Sequence, residues 1–288
     1  MVDFAFLDSG TGGIPYMIDL LKHCPSARCV YIGDTKHFPY GQKGHEEIVR
    51  YVLEITQKII ENFKPLVIVI ACNTMSVNAL DVLREVYPNQ AFVGTVPAIK
   101  LAATVSKNKK IGLLATASTV NSPYNIDLKN HFAVDCDLVL RADPELISFI
   151  EHESFTATKE ERENACKNCV NFFLENGCDV IILGCTHFLN MKEDIQKVCG
   201  DSIKVVDSVD GVTKRALSLI GQQALRAAFE PAEGGAKHTT ANTVSEECGA
   251  WGKAFPTKLF ITGLYDKNDE KEYDVICKKY NICFGGNL

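Results

Sequence analysis

Two segments of the chain end the same way. KPLVIVIACNT at 64–74 and CDVIILGCTH at 178–187 each run through apolar residues to a small residue, a cysteine and polar neighbours. Cys72 and Cys185 therefore stand at the ends of two apolar runs, each just before a new segment begins. A cysteine placed between a strand end and a helix start meets unpaired backbone N–H groups and the positive end of a helix dipole, and both favour the thiolate. One such cysteine is ordinarily a small buried hydrophobe. A matched pair points to chemistry. A single thiol beside a histidine fits nucleophilic catalysis. Two bases on opposite faces of one carbon fit proton removal from one side and return from the other, which inverts the centre. Asp8, at the end of the first apolar run, and His187, two residues past Cys185, are the natural groups to tune the thiols. Glu151 follows an apolar helix that begins at Pro144 and reads as a solvated helix end.

Other readings of these residues fail on spacing. Asn78 and Met191 stand six positions after the two cysteines, where a phosphatase loop needs arginine. Thr74 and His187 stand where a nucleophile elbow needs glycine. Cys166 and Cys169 lie within one helical pattern and lack a second ligand pair, so no metal site is expected. Residues 10–13 form a Gly-Thr-Gly-Gly turn able to receive a carboxylate, but Pro15 breaks the dinucleotide fingerprint. The chain has twelve cysteines and no export signal at its start, so reduced thiols in the cytoplasm are expected rather than a disulfide framework. With 30 basic against 36 acidic residues, net charge −6, the chain is no general binder of nucleic acid or anionic lipid. No apolar run is long enough for a membrane span.

The elements that must position these residues alternate. Short apolar runs at 4–7, 29–32, 66–70, 92–94, 111–114, 138–140, 180–183, 205–206 and 259–261 read as strands. Residues 45–63 and 159–175 carry apolar side chains at helical spacing, as do 211–228 and 270–280. Continuous Val/Ile/Leu runs imply parallel strands covered on both faces. Besides the cysteine segments, residues 2–13 match residues 109–120, and the two offsets, 113 and 107 residues, are similar. This internal repeat predicts an α/β protein of two pseudosymmetric parallel-sheet lobes with the site in the cleft between them. The first lobe spans 1–97 and is completed by 208–288; the second spans 98–207. Residues 230–257, rich in Gly, Ala and Thr, read as a surface loop or insertion.

The motifs resemble those of the glutamate racemases, in the aspartate/glutamate racemase family. DSGTGG at 8–13, GDTKHFPYG at 33–41, ACNTMS at 71–76, VGTVPAIK at 93–100, LATASTVNS at 114–122 and GCTH at 184–187 carry the likeness, with DSVDG at 207–211 and KLFITG at 258–263 following in order. The resemblance implies a cofactor-independent isomerase that interconverts L- and D-glutamate, the D form feeding peptidoglycan. It implies that Cys72 faces D-glutamate and Cys185 faces L-glutamate, with Asp8 and His187 assisting proton transfer and Asp34 and Glu151 as supporting candidates. Ser9, Asn73, Thr74 and Thr186 would hold the amino and α-carboxylate groups; Tyr40, Gly41, Thr116 and Thr119 would hold the side-chain carboxylate. It also implies a homodimer as one arrangement, since members are often dimers. Phe188-Leu189-Asn190 replaces the family's usual Tyr-Pro after GCTH, which is expected to alter the cleft wall. DSG begins at residue 8, so activation of the kind that needs the family's N-terminal extension is not expected.

Three rivals make different predictions. Aspartate racemase, or another two-cysteine racemase, would be separated by turnover, because one methylene changes pocket discrimination by only about 1–3 kcal/mol. A bilobal binding protein would bind without turnover. A cysteine hydrolase using Cys185, His187 and Asp8 would survive loss of Cys72.

Overall fold

The computed structural model describes residues 1–229, 256–263 and 267–288. Two parallel sheets form its frame. The first has six strands: β1 (Phe4–Asp8), β2 (Cys29–Gly33), β3 (Val67–Ile70), β4 (Ala91–Gly94), β9 (Lys258–Ile261) and β10 (Cys283–Asn287). Their order is β10-β9-β2-β1-β3-β4. The second has β5 (Lys110–Ala115), β6 (Asp137–Ala142), β7 (Val180–Leu183) and β8 (Lys204–Val206), in the order β6-β5-β7-β8. That order repeats the β2-β1-β3-β4 part of the first sheet, strand for strand. The internal repeat is therefore a repeat of topology: β1 corresponds to β5 and β3 to β7. Register agrees, with Leu7 opposite Ile70 in one sheet and Leu114 opposite Leu183 in the other.

Each sheet buries both faces. Phe4, Phe6 and Val69 point to α1 (Ile14–His23) and α10 (Val209–Phe229), while Leu7, Ile68 and Ile70 point to α2 (His45–Phe63) and α3 (Asn73–Val86). The second sheet packs one face on α7 (Pro144–His152), α8 (Lys159–Glu175) and α9 (Lys192–Cys199), and the other on α4 (Ile99–Val105). Helix α2 forms because Ile48, Val52, Ile55 and Ile59 fall on one face and are buried, with Glu46 and Glu47 in the first turn against the dipole's positive end. Helix α8 starts on a capping box between Thr158 and Glu161. Each buried Val, Leu or Ile contributes about 1.5–3 kcal/mol, so these faces fix the register of the strand ends.

Some expectations change. β10 carries two glycines and no alternating pattern, so its sequence does not read as a strand; it forms because β9 offers an unpaired edge. Helix α11 (Lys267–Tyr280) starts before residue 270, and α10 starts at Val209 rather than at 211. β6 is half exposed rather than covered on both faces, because it is an edge strand. The expected 230–257 loop lies, apart from residues 256 and 257, outside the described residues. Among the described residues no helix is long and apolar enough to cross a membrane.

Candidate active site

Cys72 and Cys185 occupy equivalent places. Each immediately precedes a helical segment, α3 for Cys72 and the 3-10 turn Thr186–Met191 for Cys185. Their backbones are alike and extended, with φ/ψ of −142°/120° and −135°/141°. Both thiols line one cavity of about 170 Å³ at the junction of the lobes. That is below the roughly 300–1,000 Å³ of sites for drug-sized ligands and suits a small metabolite. A larger cleft of about 640 Å³ near the lobe junction is lined by groups such as Arg84, Lys100 and Arg215 and includes neither thiol.

The thiols have different neighbours. Cys72 Sγ lies 3.7 Å from Ser9 Oγ, and Cys185 Sγ lies 3.5 Å from His187 Nδ1. His187 Nε2 in turn meets Glu151 Oε2 at 2.8 Å, and Glu151 also accepts from Thr11 Oγ1 at 3.2 Å. Glu151 is thus buried in an ion pair rather than solvated at a helix end. The last turn of α7 faces the first lobe, which the local sequence does not reveal. The Gly-Thr-Gly-Gly turn meets two carboxylates of the chain itself: the Gly13 N–H donates to Asp8 and the Thr11 hydroxyl to Glu151.

Electrostatics separates the two sides. Burial pushes the Cys72 thiol well up, and the charge of Asp8 adds to this; the Met75 N–H and the Ser9 hydroxyl oppose both. The lowering expected from the helix start therefore loses at Cys72, because desolvation of a buried thiolate outweighs an N–H group. Burial works against a charged His187, yet the Glu151 carboxylate and Cys185 outweigh it and hold the imidazole well above its ordinary value. Burial likewise opposes ionised Glu151, and the His187 charge overcomes it.

Asp8 lies outside the cavity lining. It accepts from the backbone N–H of Ser9 and of Gly13, both at 2.7 Å, and from Tyr31 Oη at 2.9 Å. Burial raises its pKa against the opposing charge of His187 and these hydrogen bonds. Thr186 Oγ1 approaches the same carboxylate from the second lobe at 3.4 Å. Thr186 and Thr119 also lie behind the lining, Thr119 bonding Thr116 at 3.0 Å. Ser9, Tyr40, Gly41, Asn73, Thr74 and Thr116 line the cavity itself. Thr74 meets Thr116 across the lobes at 3.0 Å. Buried Asn73 has no hydrogen-bond partner for Oδ1 or Nδ2 among the described residues, leaving a donor and an acceptor for a ligand. Asp34 accepts from Tyr40 Oη and His37 Nδ1, and so fixes the tyrosine from behind.

The sequence of residues 18–216 matches the family model of Asp/Glu/hydantoin racemases. The chain belongs to this family. It is 41% identical over 220 residues to the glutamate racemase of Treponema pallidum (strain Nichols), covering 76% of this chain and 82% of that one. It is 33% identical over 257 residues to the glutamate racemase of Shewanella denitrificans, covering 89% and 91%. The crystal structure of Escherichia coli glutamate racemase, in complex with L-glutamate and the activator UDP-MurNAc-Ala, superposes with a TM-score of 0.79 at 25% identity, covering 100% of this chain and 98% of that one.

Within this racemase family member, several cavity residues escape sequence reasoning. Phe38, Gln42, Pro144, Ile147 and Ser148 line the cavity. Phe38 sits inside a motif already singled out, whereas Ile147 and Ser148 show only helical spacing. Tyr31 carries the one hydroxyl in an otherwise apolar strand run, a signal that it must find a partner. Phe188 is fully buried in the second-lobe core and does not line the cavity. Cys166 and Cys169 are core residues, and among the described residues no group of three His, Cys, Asp or Glu could hold a metal.

Proposed function

We propose that the protein interconverts L- and D-glutamate by two-base proton transfer at Cα. The observation that carries this reading is one small cavity lined by two thiols from equivalent strand ends of two repeated lobes. In the proposed L-to-D direction, Cys185, beside the His187 imidazolium, takes the α-proton, and Cys72 delivers a proton to the opposite face. Reversal exchanges the roles. The raised Cys72 pKa supports a protonated thiol ready to donate in this direction.

An amino acid's α-proton is weakly acidic, so the carbanion needs stabilisation in a site largely closed to water. Ser9, Asn73 and Thr74 are proposed to hold the amino and α-carboxylate end, with Thr186 behind them. Tyr40, Gly41 and Thr116 are proposed to hold the distal carboxylate, steadied by Asp34 and Thr119. Asp8 acts here as an organiser of the Ser9 turn. Among the described residues the lining holds no lysine or arginine, which suits a mechanism that stabilises carboxylates with N–H and O–H donors. The same reading carries a cytoplasmic location, supply of D-glutamate to the cell wall and a homodimer.

The test is incubation with L-glutamate in D2O without added pyridoxal phosphate or metal, following optical rotation and the α-proton by NMR. Racemisation with deuterium entering Cα, abolished in Cys72→Ser and in Cys185→Ser, is the expected result. No exchange with either enantiomer overturns the assignment. Exchange with aspartate alone would move the substrate one methylene shorter, and survival of activity in Cys72→Ser would favour a single-thiol enzyme.

A further inference from the structure

We infer that Arg162, Asn190 and Tyr280 form a positioning cluster through which the first lobe's terminal helix holds the Glu151–His187 pair against Cys185. The inference rests on the two-thiol reading above. The buried ion pair joins two separate segments, the end of α7 and the turn after β7, and some group must fix their spacing. Arg162, on α8, does so: Nη1 donates to the Ser154 carbonyl at 2.9 Å and Nη2 to the Asn190 carbonyl at 2.9 Å. Ser154 lies three residues beyond Glu151, and Asn190 three beyond His187. Asp194 anchors the same guanidinium through Nε at 3.0 Å. A guanidinium is a rigid planar fork, so it sets the distance between the two carbonyls it bridges; an ammonium would not.

The second half of the cluster crosses the lobes. Tyr280, the last residue of α11, donates its hydroxyl to Asn190 Oδ1, while buried Asn190 Nδ2 has no partner among the described residues. Beside it, Lys279 Nζ lies 4.5 Å from the centre of the Phe155 ring, in the segment that follows Glu151. Helix α11 thus touches both segments of the ion pair from the lobe that carries Cys72. None of Arg162, Asn190 and Tyr280 lines the cavity, so each acts through Glu151 and His187 rather than on substrate.

The experiment compares the full-length protein with Tyr280→Phe, which removes one hydroxyl, and Arg162→Lys, which keeps the charge and loses the bridge. Alkylation of Cys185 and Cys72 by iodoacetamide is followed separately by peptide mass spectrometry, with no substrate present. The Cys185 rate is expected to change by about threefold or more, as coupling within one hydrogen-bond network gives, while the Cys72 rate stays put. Primary deuterium effects on kcat/KM for L- and D-[2-2H]glutamate are then measured. Enantiomers have equal free energy, so both directions share one kcat/KM. Slower transfer at Cys185 must raise the effect for the L-labelled substrate and lower it for the D-labelled one. An unchanged alkylation ratio with unchanged isotope effects in Tyr280→Phe, whatever happens to Tm, overturns the inference, even if Arg162→Lys does not fold. A wild type inactive on glutamate would sink the proposed function instead, and the substrate-free alkylation would still decide the cluster.

Discussion

A buried imidazole left to itself loses its proton, and His187 keeps it because Glu151 lies 2.8 Å away in the same desolvated space. Glu151→Gln preserves shape and a hydrogen bond while removing the charge. His187 should then deprotonate at lower pH, moving the basic limb of the kcat/KM profile downward. Activity near neutrality should fall about ten- to a hundredfold, since a hydrogen bond to a charged group is worth roughly 1.5–3 kcal/mol. Stability follows by linkage. The raised His187 contributes stability that is complete below its ordinary 6.5 and is lost as pH rises through its folded value. The lowered Glu151 contributes stability that is present above its ordinary 4.5 and is lost as pH falls through its folded value. The urea-unfolding deficit of Glu151→Gln should therefore be largest at pH values between those two and shrink on either side. A deficit that stays flat from acid to alkaline pH would show that the charge on this pair contributes nothing.

Among the elements, the turn after β1 does the most positioning, and it does so by being thin. A Cβ on Gly12 would come within 2.6 Å of the His187 backbone nitrogen and 2.8 Å of its Cα; one on Gly10 would meet the Glu151 carboxylate at 2.6 Å. Backbone cannot yield as a flexible side chain can. Gly12→Ala should thus cost about 1–3 kcal/mol, the usual range for overpacking, and should lower kcat/KM because the shift falls on His187. Denaturant unfolding and steady-state kinetics check this; a stable variant with normal kcat/KM would show that the lobes need not approach so closely. The glycines of this turn are legible in the sequence, but the reason for Gly10 and Gly12 is not, because it lies on Glu151 and His187 in the other lobe. The same contrast runs through the fold. Strands β1, β3, β5 and β7 and both cysteines are legible, since buried parallel strands leave continuous apolar runs with chemistry at their ends. Strand β10 is not, because only the free edge of β9 makes Cys283–Asn287 extended. Glu151 reads as solvated from its local sequence, and only the family resemblance marks it as a support; Ile147 and Ser148 pass unnoticed, since helical spacing shows which residues share a face without showing which lobe that face meets.

The cavity exists only where the two lobes meet, and that gives the whole molecule a thermodynamic signature. Thr74 bonds Thr116, Thr11 bonds Glu151 and Thr186 approaches Asp8, each pair joining one lobe to the other around the thiols. A ligand that contacts both linings binds only when both lobes are folded and together, so its binding free energy adds to the stability of the pair rather than to either lobe alone. At a hundred times its dissociation constant a ligand contributes about 2.7 kcal/mol. At roughly 2–4 °C per kcal/mol for chains of somewhat smaller size, Tm should rise by about 5–10 °C. Cys72→Ser is the protein to use, because an inactive variant keeps each enantiomer pure. Scanning calorimetry with L-glutamate, and separately with D-glutamate, should move the whole endotherm upward, and by similar amounts, since the proposed donors would receive both substrates with only the α-proton changing side. An endotherm that splits, with one part fixed in temperature at saturating ligand, would mean that one lobe melts without contributing to the site. A shift with only one enantiomer would show that the two substrates do not share the proposed donors.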